Sequence, residues 1–199
     1  MNYRIILILF TLLAVASVNA QDKLYSNTFP LCDVKPLDGS FKHDCTLNIK
    51  VLLQYDTDHL LAPYLKEAGL IPKAESFENW IGLDGYVGGH YLAALVIHYA
   101  VTGDKACKEK MDYMIAELKR CQLQNGDGYV GDVPGGKKIW AEIKKGNAGV
   151  VWKVWVSWYN LHKMYAGLRD AWLYGGNEEA RKMFLDLCDW GGNRHRSSQ

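Results

Sequence analysis

The feature that most constrains the fold is an internal repeat, in which two stretches of the chain match after a shift of 72 residues. The matched pairs are His90 and His162, Ala94 and Ala166, Gly103 and Gly175, Lys110 and Lys182, and Met111 and Met183. Each copy contains a histidine, a helix-forming stretch, a glycine turn and a second, capped helix-forming stretch. A long period with two helices predicts stacked helical hairpins, which either close into an α/α barrel or stay open as a solenoid.

Apolar spacing and the positions of Gly and Pro predict where the helices begin and end. The predicted helices cover 47–68, bent or broken near Pro63, then 89–101, 105–123, 150–174, and a last one from Asn177 to about Trp190. Long loops at 70–89 and 124–149 fall at the same end of each inner helix, which favours the barrel because such loops build a pocket. No strong strand pattern competes, so we predict an all-α fold.

The first twenty residues are predicted to be a secretory signal peptide rather than part of the fold. A short start with Arg4 precedes an apolar run of about twelve residues, which is too short to span a membrane, and small residues lead to Ala20. We therefore expect a secreted or periplasmic protein without a membrane span. The remaining chain divides into an extended arm at 21–46, a helical domain at 47–190 and an irregular tail at 191–199.

The balance of basic and acidic side chains limits which binding partners are expected. The chain has 23 basic and 22 acidic side chains, and loss of Arg4 with the leader makes the mature chain balanced. A balanced chain argues against nucleic acid or an anionic membrane as partner and is compatible with a neutral ligand such as a sugar.

The five cysteines do not form a recognisable metal motif. Cys32 and Cys45 lie in the arm and can pair after export. Cys107 and Cys121 are roughly 20 Å apart if they share one helix, too far for a disulfide. We expect these two and Cys188 to be buried free thiols.

The repeat gives the first candidate site residues, His90 and His162. Equivalent positions on neighbouring inner helices would direct both histidines into one pocket, where a neutral imidazole donates and accepts hydrogen bonds with sugar hydroxyls. The alternative, two structural histidines, is about equally compatible with the sequence.

Loop residues supply further candidates for the pocket. Trp80 and Tyr129 lie in glycine-containing loops and can stack on a sugar ring, and Asp84 can accept hydrogen bonds from hydroxyl groups. Asp127 is more typical of a turn. The predicted helix 150–174 has tryptophans at every third position, and we predict that they pack in the core. They are Trp152, Trp155 and Trp158.

Spacing alone identifies no catalytic group. Glycoside hydrolysis usually requires two carboxylates, and the loop residues Glu75, Glu78 and Glu142 do not single out such a pair. The chain has no nucleophile-elbow serine motif, no phosphate-binding loop and no zinc-protease motif. The residues themselves thus predict a helical-repeat domain with a polar and aromatic pocket.

Four segments resemble the β-L-arabinofuranosidase-like glycoside hydrolases (glycoside hydrolase family 127 and its close relatives). They are LLAPYLKEAGL at 60–70, GLDGYVGGHYLAA at 82–94, CQ at 121–122 with GDGYVG at 126–131, and YNLHK at 159–163. The resemblance covers about residues 47–190, and the segments are specific in combination rather than singly.

The resemblance implies an (α/α)₆ barrel that removes terminal β-L-arabinofuranose from plant-type glycans, with His90 and His162 contacting the sugar. It also implies a catalytic zinc held by three cysteines and a glutamate, one cysteine being the nucleophile, and a separate glutamate as acid/base. Cys188 does not lie in such a motif. We therefore expect an N-terminal portion of such an enzyme, an incomplete barrel without its catalytic zinc site and inactive alone.

Two other functions remain open. One is a non-catalytic helical module that binds carbohydrate or another chain, and the other is a different α/α-barrel enzyme such as a lyase or an epimerase.

Overall fold

A computed structural model describes residues 29–77, 86–153 and 157–196. The chain divides into two compact units, residues 1–34 and residues 35–199. In the first unit the described part contains a single 3₁₀ turn at Leu31–Asp33. The predicted signal peptide and the candidate residues Trp80 and Asp84 lie outside the described residues.

The second unit is built from α-helices. They are α1 (Ser40–Gln54), α2 (Thr57–Ala68), α3 (Tyr86–Thr102), α4 (Lys105–Asn125), α5 (Gly136–Lys144), α6 (Ser157–Leu173) and α7 (Glu178–Arg196), with a 3₁₀ helix at Ala148–Lys153 before α6. Within the described ranges no residue is in a β-strand. The all-α prediction is confirmed.

The repeat corresponds to two helical hairpins, α3–α4 and α6–α7. Each hairpin turns at a glycine with a left-handed backbone, Gly103 (φ 72°) and Gly176 (φ 65°). The next residue caps the following helix: the carboxylate of Asp104 accepts two backbone N–H bonds, and the side-chain oxygen of Asn177 accepts one. The two turn glycines, Gly103 and Gly176, are therefore 73 residues apart, whereas matched residues in the preceding helices are 72 residues apart. The difference arises because the second turn contains one extra residue.

The helices pack in two layers. The contact between α3 and α6 is the most extensive in the chain, and each of these helices also packs on the partner helix of its own hairpin. Helix α2 packs mainly on α4, and α4 contacts α7, so these three helices form the second layer. The apolar side chains between the layers make the core, which includes Leu61, Leu92, Met111, Leu118, Leu161, Met164 and Met183.

Glycines allow α3 and α6 to approach backbone to backbone. A Cβ atom placed on Gly89 would lie 2.5 Å from the carbonyl oxygen of Lys163 and 2.8 Å from the backbone nitrogen of Met164. A Cβ on Gly167 would lie 2.8 Å from the carbonyl oxygen of Gly89. Since real side chains do not tolerate such contacts, any larger residue at these positions forces the two helices apart.

The helix is not broken at Pro63. Pro63 lies inside the continuous helix α2, and the chain breaks earlier, between α1 and α2. There the side chain of Asp56 accepts a hydrogen bond from the backbone N–H of Asp58 and caps α2. Burial of apolar residues such as Leu61 and Leu65 on both sides of the proline holds the helix together despite the missing N–H.

Other boundaries also differ from the prediction. Residues 40–46 of the predicted arm belong to α1, and residues 191–196 of the predicted tail continue α7. The predicted loop 124–149 contains α5, whose N-terminus is held by a distant carboxylate that no local pattern reveals. Within the predicted helix 150–174, the described residues form the end of a 3₁₀ helix up to Lys153 and an α-helix from Ser157 to Leu173.

The cysteines follow the prediction in part. Cys107 and Cys121 are buried free thiols, as predicted, and Cys188 is partly buried. Cys32 and Cys45 are exposed and unpaired, so the suggested disulfide is not formed in this structure. Among the described residues, no helix is both long and apolar enough to cross a membrane.

We predict that Gly89→Ala destabilises the fold by about 1–3 kcal/mol, because the added methyl group overpacks the α3–α6 contact. Gly192→Ala is the matched control, since Gly192 is also helical and a Cβ there has no atom within 4 Å. The control should leave stability unchanged or raise it by up to about 1 kcal/mol. Urea denaturation followed by circular dichroism measures both, and equal midpoints for the two variants would contradict the close-packing argument.

Candidate functional site

The fold brings the four segments of the family resemblance together. A Cβ on Gly88, in the second segment, would lie 2.8 Å from the ring of Tyr64, in the first. Gly89 packs on the backbone of Lys163, in the fourth. Asp132, which follows the third segment directly, accepts a hydrogen bond from the Asn160 side chain of the fourth at 3.2 Å. Segments far apart in sequence thus contact one another, and the first and fourth both meet the N-terminal half of α3.

His90 and His162 lie on the two helices that make the α3–α6 contact, and both side chains are exposed. Gly89, the residue before His90, packs on the backbone of Lys163, and the charges of Lys163 and His162 act on His90. Tyr159 lies one turn before His162, with the two ring centroids 6.5 Å apart, and the ammonium of Lys163 lies 4.4 Å from the centre of the Tyr159 ring. These four side chains form a polar and aromatic surface, named here the histidine face.

The electrostatics of the histidine face favour neutral imidazole at His90. Partial burial, the nearby Lys163 ammonium and His162 together lower the pKa of His90 below its ordinary value of 6.5. A neutral imidazole has one donor and one acceptor nitrogen, so near pH 7 His90 is able to bond both ways with a hydroxyl group. The surface therefore suits a neutral polyhydroxy ligand.

A buried polar cluster lies behind the histidine face. Asp132 and Asn160 are bonded to each other and almost fully buried. Burial raises the pKa of Tyr64 well above its ordinary value, and the Asp132 charge adds to the effect. The Tyr64 hydroxyl also makes a hydrogen bond with the backbone of Gly89, the residue before His90. These bonds fix the backbone on which His90 is mounted.

Glu67 fixes the loop that carries Asp132. Its carboxylate accepts hydrogen bonds from the backbone N–H groups of Gly135 at 2.9 Å and of Lys137 at 3.0 Å. These donors belong to the first turn of α5 and its approach, where helix N–H groups have no partner within the helix. Burial raises the pKa of Glu67, and the hydrogen bonds oppose that rise. One carboxylate on α2 thus anchors the loop from a distance of almost seventy residues in sequence.

Tyr129 lies in the core rather than on an open surface. Its ring stacks on Trp190 with centroids 4.7 Å apart and lies edge-on to Trp140 at 6.3 Å. Asp127 connects this cluster by accepting hydrogen bonds from the backbone N–H of Tyr129 and from the indole N–H of Trp190. Asp127 is therefore a turn residue, as the sequence indicated, with an added bond to α7. A cavity of about 160 Å³ lies beside these rings, and neither histidine lines it.

The predicted packing of the tryptophan series is wrong for Trp152. Its side chain is 89% exposed, because residues 148–153 form a 3₁₀ helix instead of the first turns of a regular α-helix. Trp158 is half exposed and packs on Trp140 with ring centroids 4.8 Å apart. Trp155 lies outside the described residues.

The described residues do not fit the zinc site that the family resemblance implies. No three cysteines and a glutamate meet in the described ranges, where the one group with metal-ligating side chains in reach of one another is His98, Asp104 and Cys107. That group has different donor types from the implied site, so no catalytic step through a zinc ion is assigned to this stretch of the chain.

Sequence reasoning missed the residues that support the histidine face. Asn160 and Lys163 stand beside His162 in the fourth segment, and Asp132 follows the third, but nothing local marks them as partners. Nothing in the local sequence marks Glu67 as a partner of the loop either. The only available signal was that Glu67 lies in the first segment of the family resemblance.

We predict that the His90 imidazole titrates below 6.5 and that Lys163→Met raises its pKa, because the mutation removes a positive charge. Since folding lowers this pKa, the unfolded chain binds the proton more tightly. Stability should therefore be unaffected by His90 above pH 6.5 and should fall as the pH decreases through the lowered pKa. NMR titration of the His90 ring protons in both proteins measures the shift, and an unchanged pKa in the variant contradicts the proposed proximity.

Comparison with known proteins agrees with the convergence of the four segments. Residues 33–198 match the family model described as "Beta-L-arabinofuranosidase, GH127 catalytic domain". A comparison with curated proteins gave no match. The family match spans most of the chain and contains every described α-helix, so the chain belongs to the GH127 β-L-arabinofuranosidase family.

Proposed function

We propose that this chain forms the sugar-recognising part of an exported glycoside hydrolase that acts on terminal β-L-arabinofuranosides of plant-type glycans. In this proposal His90 and His162 hydrogen bond to the hydroxyl groups of the terminal sugar. Trp80 and Asp84, which precede α3 in the sequence, contribute further contacts to the sugar. The observation that carries the proposal is the pairing of the two histidines on adjacent helices within a domain of this family.

Membership of a glycoside hydrolase family implies a carbohydrate substrate. The histidine face has the chemistry for such a ligand: two imidazoles, a lysine and the ring of Tyr159 on one surface. Aromatic faces stack on the C–H groups of sugar rings, and imidazoles at near-neutral pH bond to hydroxyls without introducing a net charge. Tyr129 is left out of the sugar-contacting set because its ring is buried against Trp190.

The proposal assigns binding, and no catalytic residue, to the described stretch. Family members are expected to hydrolyse the bond with a zinc-bound cysteine, and the described cysteines do not assemble such a group. The second candidate function is therefore a carbohydrate-binding module without catalysis, which the same histidine face would serve.

We predict that His90→Ala and His162→Ala each weaken binding of a methyl β-L-arabinofuranoside about tenfold or more, the effect of losing one hydrogen bond to a neutral ligand. His43→Ala is the matched control, because His43 is an exposed helical histidine on α1 and is not among the groups whose charges act on His90. Isothermal titration calorimetry measures the affinities. Equal losses in all three variants, or in none, would contradict a sugar site at the histidine face.

The enzyme and the binding module are separated by an assay on a chromogenic β-L-arabinofuranoside, run with and without a zinc chelator. Chelator-sensitive hydrolysis supports the enzyme, and binding without turnover supports the module.

Export is tested by N-terminal sequencing of the protein from the culture medium or the periplasm. A mature chain beginning at Gln21 is expected, and a retained Met1 contradicts removal of the leader.

A further inference from the structure

The turn between α3 and α4 places three metal-ligating side chains together, away from the histidine face. They are His98 in the last turn of α3, Asp104 at the cap of α4 and Cys107 in the first turn of α4. One ligand atom from each lies within 4.8 Å of the other two. His98 and Asp104 are partly exposed, and Cys107 is buried. The group therefore has an inner sulfur ligand and an outer side that solvent reaches.

We propose that His98, Asp104 and Cys107 form a binding site for a transition-metal dication of the zinc type, which clamps the α3–α4 turn. Imidazole, thiolate and carboxylate are the three protein ligands that zinc accepts, whereas the sulfur atom disfavours magnesium and calcium. Three protein ligands leave a fourth position, which water fills from the exposed side. The donor set differs from that of the zinc site implied by the family resemblance.

The three ligand atoms need to approach one another only slightly to bind a metal ion. Tetrahedral zinc with its usual bond lengths separates its ligand atoms by about 3.3–3.8 Å, so the three atoms approach one another by about 1 Å when the ion binds. With neutral imidazole, a carboxylate and a thiolate, the site balances the two positive charges of the ion. The thiol proton of Cys107 passes to solvent as the metal–sulfur bond forms.

The hydrogen bonds that the three side chains already make leave them able to bind a metal ion. Asp104 uses one carboxylate oxygen, Oδ1, to accept the backbone N–H groups of Ala106 and Cys107. A carboxylate has two oxygens with about four acceptor positions, so the Asp104 carboxylate can bind a metal while the helix cap stays intact. Within the described ranges, neither the His98 ring nor the Cys107 sulfur makes a side-chain hydrogen bond that the ion would have to break.

The second hairpin shows that the architecture does not demand these residues. Its turn is capped by Asn177 where the first has Asp104, and Ala180 fills the buried position of Cys107. Asp170 stands where the first hairpin has His98. The same turn is thus built and packed without a thiol, an imidazole or a charged cap. The three ligand types occur together only in the first of the two copies, which is the pattern expected of a site with its own role.

The test is a titration of the metal-free chain with Co²⁺, followed by competition with Zn²⁺. It uses a Cys32→Ser/Cys45→Ser background, which removes the exposed thiols. We expect one Co²⁺ per chain with a sulfur-to-cobalt charge-transfer band, displacement of cobalt by Zn²⁺, and a higher melting temperature with bound Zn²⁺. No saturable band in the background protein overturns the proposal.

Two variants locate the site. The double substitution Asp104→Asn/Cys107→Ala copies the second turn, so it should fold while losing the band and at least about 100-fold in affinity, more than loss of an outer-shell partner costs. His98→Gln should weaken binding without affecting the cap, and it serves if the double variant does not fold. Cys188→Ser is the thiol control and should bind cobalt normally. A band that survives both variants, or that only Cys188→Ser removes, would place the metal elsewhere and refute the site.

Discussion

The contact between α3 and α6 is the interaction on which the rest of the structure depends. Gly89 and Gly167 let the two backbones touch, and a methyl group at either position would lie within 2.9 Å of backbone atoms of the other helix. The approach sets the spacing of the two hairpins, because each hairpin's second helix packs on its own first helix. It also brings His90 to His162 and Lys163. A packing constraint at glycine therefore decides the geometry of the proposed sugar site.

Buried polar groups beneath the histidine face support the site. Because they are buried, moving them away from their hydrogen-bond partners would cost free energy. Asn160 donates a hydrogen bond to the Asp132 carboxylate in the interior, and Tyr64 bonds to the backbone of Gly89. A buried carboxylate without partners would cost several kcal/mol, so the loop that carries Asp132 has few alternative positions. Glu67 restricts the same loop from α2. Rigid support of this kind lets two exposed histidines keep a fixed separation, which a selective sugar site requires.

The prediction from sequence was most successful where the signal was periodic. The 72-residue repeat gave both hairpins, the glycine turns and the caps at Asp104 and Asn177, because those features depend on neighbouring residues alone. The alternative of a break at Pro63 was wrong, because the buried face of α2 outweighs the missing N–H, and α5 was missed because its N-terminus is held by Glu67. Trp152 shows the same limit: a three-residue spacing predicts a packed helix face only if the segment is an α-helix.

The sequence by itself determined the all-α class, the repeated hairpins and the family, since helix periodicity, capping residues and the four segments are all properties of the linear chain. The tertiary structure decided which residues share a surface. It placed His90 beside Lys163, buried Tyr129 against Trp190 and joined His98 to Cys107 across a turn. The physical reason is that side-chain proximity depends on how helices pack, and the packing here is set by glycines and buried polar partners distant in sequence.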